Sequence, residues 1–213
     1  MAKDFSKYYW QQHWLQGHAD SASGAAAMAV APPNPHLLAE AGDLAPGSAL
    51  DVGCGAGAEA IWLAARGWQV TAADIAAPAL AVAVDRAAEF DVGSAIAWVE
   101  ADLTSWVPPT TFDLVTTFYA HPDGSQLAFY ERISSWVAPG GTLLIVGHAS
   151  AGGDHRHEAS VSAGDVVSVL DGEQWEVVTG EAGRRTTDSG TELHDVVVRA
   201  VRRQPWAMSA NRE

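Results

Sequence analysis

The 213-residue chain has a single cysteine, Cys54, so no disulfide can form within it. A lone thiol suits a reducing compartment better than an oxidising one. Cationic side chains are scarce. Twelve Lys and Arg stand against 26 Asp and Glu, a formal net charge of −14. A protein that grips nucleic acid through its phosphates needs a basic face. The only basic clusters here are Arg184-Arg185 and the stretch from Arg199 to Arg203. Nucleic acid is therefore not an expected partner, and an anionic membrane surface is disfavoured for the same reason. No segment approaches the roughly 18 uninterrupted apolar residues of a membrane span. The polar stretch from Met1 to Trp10 has no apolar core of signal-peptide length. The expectation is a cytoplasmic protein, monomeric or homodimeric, acting on a small molecule.

What the chain does have is a globular composition, 48% hydrophobic against 18% charged. Its length fits one domain with a full-sized core. Small, Pro-containing "SASGAAAMAVAPPNP" reads as a linker. Asn34 and Pro35 then read as N-cap and first residue of a helix, "NPHLLAEAGDL". Strand-like and helix-like segments alternate from there. "SALDV", "WQVTAAD", "SAIAWVEAD", "TFDLVTTFY" and "TLLIVGH" are the strands. Between them, "AEAIWLAARG" turns Ile61, Ala64 and Ala65 inward, puts Glu59 and Arg66 on the other face, and ends at Gly67. "APALAVAVDRAAEF" turns Leu80, Val84 and Ala87 inward. "GSQLAFYERISSWV" turns in Phe129, Ile133, Trp136 and Val137, with Asp123 and Gln126 placed to cap it. Such alternation implies βαβ crossovers and a parallel sheet buried on both faces.

The pattern changes at the end. After a helix capped by Ser162, "WEVVTGEAG" and "TELHDVVVRAVR" are separated only by "RRTTDS", which forces an antiparallel pair. The expected fold is α/β: one doubly wound, mostly parallel seven-stranded sheet finishing in a hairpin. Residues 34–203 form its domain, 1–33 an aromatic helix with a linker, and 204–213 a tail.

In an open parallel sheet, ligands bind beyond the carboxyl ends of the strands. The first strand is followed by "ALDVGCGAGAEA", whose glycines Gly53, Gly55 and Gly57 let backbone approach a ligand. With Ala58 the loop also fits the dinucleotide pattern G-x-G-x-x-A. Two details argue for another ligand. Asp51, two residues before Gly53, would repel a pyrophosphate but attract a ligand bearing ammonium and sulfonium charge. Asp74 and Asp102 end the next two strands, where carboxylates can take ribose hydroxyls and an adenine amino group. Each acid also has a purely structural alternative: Asp74 and Asp102 as helix caps, Asp51 as an acceptor for loop amides.

At these residues the chain resembles the class I S-adenosylmethionine-dependent methyltransferases, which have a Rossmann-like fold. "LDVGCGAG", "VTAADIA", "VEADLTSW", "FDLVTTFY" and "APGGTLLIVG" are similar to five of the family's motifs, in order, from Pro35 to about Arg203. The "NPHLLAEAGDLAPG" lead-in looks like the tellurite-resistance and thiopurine type. The resemblance implies S-adenosylmethionine as cofactor and S-adenosylhomocysteine as product. It implies a cofactor site of Asp51, Gly53, Cys54, Gly55, Ala56, Gly57, Asp74, Ile75, Asp102, Leu103 and Phe118. A cofactor-binding regulator without turnover and an NAD(P)-dependent oxidoreductase are the alternatives.

Methyl transfer needs an aligned nucleophile, and a base only when that nucleophile is protonated and weakly acidic. His121 after the fourth strand is the first candidate base and His148 after the fifth the second; Tyr119 lines the pocket or joins them. In "KYYWQQHWLQGH", Tyr9 and His13, and Trp10 and Trp14, form i, i+4 pairs, placed for an aromatic lid over a flat acceptor. "GHASAGGDHRHEA" gathers three histidines and two acids, but its glycines fix no ligand geometry, so no metal is expected.

Overall fold

A computed structural model describes residues 5–17, 25–149, 160–186, 190 and 192–205. Seven strands form one sheet in the order β3-β2-β1-β4-β5-β7-β6. They are β1 (Ser48–Val52), β2 (Gln69–Asp74), β3 (Ile96–Glu100), β4 (Phe112–Phe118), β5 (Val137–His148), β6 (Trp175–Thr186) and β7 (Glu192–Arg202). β1 to β5 pair in parallel, and β7 runs antiparallel to both β5 and β6. This is the doubly wound sheet with a closing hairpin that the sequence pattern implies.

Alternate strand residues feed two cores, because side chains along a strand point to opposite faces. Leu50, Val115, Leu143, Ile145, Val196 and Val198 pack with Phe129 and Ile133 of α6 (Gln126–Ser134) and Val166 of α7 (Ala163–Ser168). Ala49, Leu114, Leu144, Val146 and Val197 pack with α3 (Pro35–Ala41), α4 (Ala58–Ala64) and α5 (Ala77–Glu89) through Leu37, Ile61, Leu63 and Leu80. Burial on both faces is why these strands read as apolar runs rather than as alternating ones. Two short helices precede α3: α1 (Lys7–Gly17) and α2 (Ala25–Val30).

The caps follow the local chemistry. Asn34 accepts from the His36 amide at the start of α3. Ser162 and Asp165 form a reciprocal capping box on α7. Gly67, at φ +91°, closes α4, with the Trp68 amide donating back to the Leu63 carbonyl.

Four expectations are corrected. Part of the supposed linker is helical: the Ala-rich run folds as α2 and stops before Pro32 and Pro33, since alanine favours helix and proline disfavours it just upstream. The cap of α6 is Ser125, whose hydroxyl accepts from the Ala128 amide, rather than exposed Asp123. That helix also ends at Ser134, and Val137 instead begins a twelve-residue β5 that runs through the Pro139-Gly140 turn signal. Val84 faces solvent, and Ala79, Leu80, Ala83 and Ala87 make the buried stripe of α5.

Candidate functional site

The glycine loop follows β1 and folds into left-handed backbone at Gly53, Gly55 and Gly57, with φ of +75°, +51° and +75°. Only glycine takes this region without strain. The turn is tied down from β2: the amides of Gly53 and Cys54 both donate to the Ala73 carbonyl, at 2.8 and 3.1 Å. A Cβ on Gly57 would lie 2.7 Å from the Trp98 ring, so this glycine serves the close approach of loop and sheet.

Three carboxylates surround the loop. Asp51 stands opposite Thr116 in the β1–β4 register, and the Thr116 hydroxyl donates to its Oδ1 at 3.0 Å. Its Oδ2 has no partner among the described residues. Burial pushes the Asp51 carboxyl well above the ordinary carboxylate range; nearby Glu59 pushes the same way and the Thr116 bond opposes it. Asp74 ends β2 and accepts from the Gly55 amide at 2.9 Å and the Ala76 amide at 2.8 Å. Burial raises its pKa as well, against those two bonds. Glu59 accepts from the Asn34 amide at 2.9 Å, and burial raises its pKa too. Sequence reasoning gave Glu59 to the outer face of its helix; it is the one residue of α4 that is not fully buried, and the face it occupies opens onto the cavity. Arg86 offsets the Glu59 charge in part; burying Asp51 and Asp74 as anions is costly without a cationic partner, and a ligand carrying positive charge suits this set.

The loop floors a cavity of about 1230 Å³. One end is lined by Gly53, Cys54, Gly55, Ala56, Asp74, Ile75, Asp102 and Leu103. Trp14 from the N-terminal segment lies over this end. The other takes in Phe118 at the end of β4, Tyr119, Ala120 and His121 after it, Arg185 of β6, and Phe5 and Trp10 from the N-terminal segment. Trp10 donates its indole N–H to the His121 carbonyl at 3.3 Å. The His121 ring stacks with Phe5, centroids 5.3 Å apart, and with His148 at 5.4 Å. The Tyr9 and His13 rings stack with each other at 6.1 Å, without lining the cavity.

Several expected site residues support the cavity instead of lining it: Asp51 and Gly57 beneath the loop, and His148 behind His121. Asp102 is exposed, and its Oδ1 accepts from both the amide (2.9 Å) and the hydroxyl (2.6 Å) of Thr104, as a cap would. Cys54 is buried, and burial raises its thiol pKa, so it fills space. Most of the histidine-containing loop expected at 148–158 lies outside the described residues. Among those described, no group of three potential metal ligands occurs, and no helix is long and apolar enough to cross a membrane.

A polar cluster that sequence reasoning missed closes the far end. Asp195 of β7, 1% exposed, accepts from the Tyr119 hydroxyl at 2.7 Å and from Arg185 Nε at 2.6 Å, and pairs with His36 Nε2 at 3.2 Å. Arg185 Nη2 also donates to the Tyr119 hydroxyl at 3.0 Å. Burial lifts the Tyr119 pKa to about 12, with Arg185 pulling it down and Asp195 pushing it up. Tyr119 is thus a neutral phenol whose proton is committed to Asp195, an unsuitable base at neutral pH. No local motif marks these four residues, which come from distant parts of the chain.

Comparisons with known proteins show what the chain is similar to. Residues 49–141 match a family described as a methyltransferase domain. An uncharacterized methyltransferase of Mycobacterium tuberculosis is 42% identical over 100 residues, 46% of this chain and 48% of that protein. The chain thus aligns with about half the length of that relative. Among solved structures, a magnesium protoporphyrin IX methyltransferase from Synechocystis with bound S-adenosylhomocysteine superposes with a TM-score of 0.68 at 16% identity, over 92% of this chain and 99% of that one. The N-methyltransferase NodS from Bradyrhizobium japonicum, in complex with S-adenosylhomocysteine, gives 0.67 at 20% identity, over 89% and 98%. At such identities these likenesses speak for the fold. Residues 49–141 are thus similar to a methyltransferase domain, set in a chain that shares the fold of these solved methyltransferases.

Proposed function

We propose that the protein moves a methyl group from S-adenosylmethionine to an oxygen, nitrogen or sulfur atom of a small, flat aromatic or heterocyclic acceptor. The observation that carries this reading is the single continuous cavity. A site for one small ligand occupies about 300–1,000 Å³. At about 1230 Å³ this cavity exceeds that range, with room for a cofactor and an acceptor. Its two ends also differ in kind, glycine loop and carboxylates against aromatic rings.

In this reading the loop from Gly53 to Ala56 cradles the amino-acid tail, Asp74 takes the ribose hydroxyls, and Ile75 and Leu103 sandwich the adenine. Asp51 acts from below through its field. S-adenosylmethionine supplies a methyl group on a sulfonium, and the acid-lined end favours that positive charge. Trp10, Phe5 and His121 hold the acceptor flat and exclude water. His121 receives the acceptor's proton where there is one to lose, backed by His148.

The test is thermal. At about 100 times its Kd a ligand adds about 2.7 kcal/mol, about 5–10 °C for a chain of this length. S-adenosylhomocysteine is expected to raise Tm by that order, and Asp74→Ala to abolish the rise. No rise at millimolar ligand would sink the proposal. An acceptor screen read by mass spectrometry separates an enzyme from a regulator that binds without turnover: an enzyme yields a product heavier by one CH2.

A further inference from the structure

The acceptor end of the cavity holds a cation that cofactor binding does not use. Two Lys or Arg side chains line the cavity, Lys7 and Arg185. Lys7 is paired with Glu100 at the end of β3. Arg185 lies across the sheet, on the opposite edge strand. Neighbouring strands are about 4.8 Å apart. With the order β1-β4-β5-β7-β6, the Arg185 backbone therefore stands roughly 19 Å from the glycine loop's strand, on the side away from Asp74 and Asp102. The side chain reaches back from this edge and meets the hydroxyl of Tyr119, which follows β4.

The guanidinium is fixed on one side only. Of its five N–H donors, Nε serves Asp195 and one on Nη2 serves Tyr119. Nη1 makes no hydrogen bond to a described residue of this cluster, and the side chain keeps 24% of its surface open. Asp195 is buried and shares its charge among Tyr119, Arg185 and His36, so it orients the fork without exhausting it. Tyr119 is itself held at φ +53°, a region that costs a non-glycine residue about 1–2 kcal/mol. Strained residues of this kind gather at functional sites. A buried ion pair is poor value for stability alone, since apolar replacements are often as stable. The arrangement is that of a preoriented anion anchor.

We propose that the acceptor carries a carboxylate, and that Arg185 binds it through its free edge while the flat part of the acceptor lies against Trp10 and His121. This rests on the reading that the acceptor enters the same cavity as the cofactor. A planar fork suits a planar carboxylate, which can accept two parallel hydrogen bonds. The −14 net charge does not oppose this: charges farther than about 8 Å are largely screened at physiological salt, and Arg185 itself lines this end of the cavity.

Calorimetric titration tests it. The full-length protein is saturated with S-adenosylhomocysteine and titrated with benzoate, 4-hydroxybenzoate and indole-3-carboxylate, then with the methyl ester of each. At least one acid is expected to bind about 10- to 100-fold more tightly than its ester, the worth of one charge-assisted hydrogen bond. Arg185→Gln should erase that preference and Arg185→Lys should keep part of it. Should Arg185→Gln misfold because Asp195 is left unpaired, the double variant Arg185→Gln with Asp195→Asn removes both charges together. Esters that bind as well as acids, no acid binding at millimolar concentration, or a preference that survives loss of Arg185 would each overturn the proposal. The thermal rise with S-adenosylhomocysteine keeps the two readings apart. Its absence in the wild type counts against methyl transfer, whereas its presence without acid preference counts against the anchor alone.

Discussion

The Trp14 ring rests on Gly55: a Cβ added to that glycine would come within 3.3 Å of Trp14 Cζ2. The N-terminal helix therefore touches the glycine loop itself, as well as the aromatic end of the cavity through Trp10. Trp14 is 4% exposed, packed with Ala56, Ala76 and Ala79. Among the helices of the described residues, α1 leans chiefly on α2 and α5, at the edge of the fold, where local opening need not unfold the sheet.

Trp14→Ala is accordingly expected to act on the cofactor more than on the fold. Removing a core Trp costs about 3–5 kcal/mol where the structure cannot relax. Here local release of α1 caps the global loss well below that. S-adenosylhomocysteine should bind about tenfold more weakly, and amides of α1 should exchange faster. Unchanged affinity alongside faster exchange would show that α1 does not cover the cofactor.

The Asp195 cluster predicts the opposite balance. Asp195→Ala leaves the Arg185 charge half-buried and unpaired and deprives Tyr119 of its acceptor. Breaking a buried pair in this way costs about 3–5 kcal/mol, and Tm should fall by roughly 6–20 °C. Tyr119→Phe should cost less, about 1–3 kcal/mol. Because the Tyr119 pKa is near 12, that variant should keep the wild-type pH–rate profile between about pH 6 and 9. A shifted acid or base limb would mean that Tyr119 itself exchanges a proton with the acceptor.

The fold was largely legible because its signals are local and redundant. Five apolar runs separated by helical stretches make a parallel sheet, and the short polar gap before the last strand makes a hairpin, although β6 takes Arg184, Arg185 and Thr186 from that gap. Asp51 could be found because it stands just before the glycines, and Asp74 because it ends the next strand. Ala65, expected inward, is exposed, while α4 is buried at every residue but Glu59, because periodicity cannot tell a one-sided helix from one buried nearly all round. Val84 was misplaced for a related reason: alanines, weak apolar signals, form the inner stripe of α5. The Tyr119–Arg185–Asp195–His36 cluster was illegible. It joins a loop, two strands and a helix separated by up to 159 positions, and no single-chain pattern encodes such a meeting.

Gly57 separates backbone need from ligand contact. It does not line the cavity, yet its Cβ would meet Trp98 at 2.7 Å and Ala83 at 3.0 Å in left-handed backbone. Gly57→Ala should therefore destabilise the apo protein by about 2–4 kcal/mol, strain and overpacking together. Urea unfolding measures this. A change under about 0.5 kcal/mol, within the range of neutral surface substitutions, would refute the packing role.

Asp51 gives a pH prediction whose sign follows from its burial. A carboxyl whose folded pKa lies above its unfolded value holds its proton more tightly in the folded chain. Its stabilising share is complete below the ordinary value of 3.8 and is lost as pH rises through the raised folded value. Glu59 and Asp74 are shifted in the same direction. Other carboxyls, such as Asp113, are shifted downward and act oppositely, so the total pH curve mixes signs. The difference between Asp51→Asn and wild type isolates the one group. Asn carries no charge to desolvate and can still meet the Thr116 hydroxyl. The variant's apo Tm should gain on wild type as pH rises from about 4 to 8. Its affinity for S-adenosylmethionine should fall increasingly behind that of wild type over the same range, because wild-type Asp51 ionises and gains a field for the sulfonium that Asn lacks. A variant that loses stability relative to wild type on raising the pH would mean that Asp51 is a satisfied structural carboxylate and that its field serves no ligand.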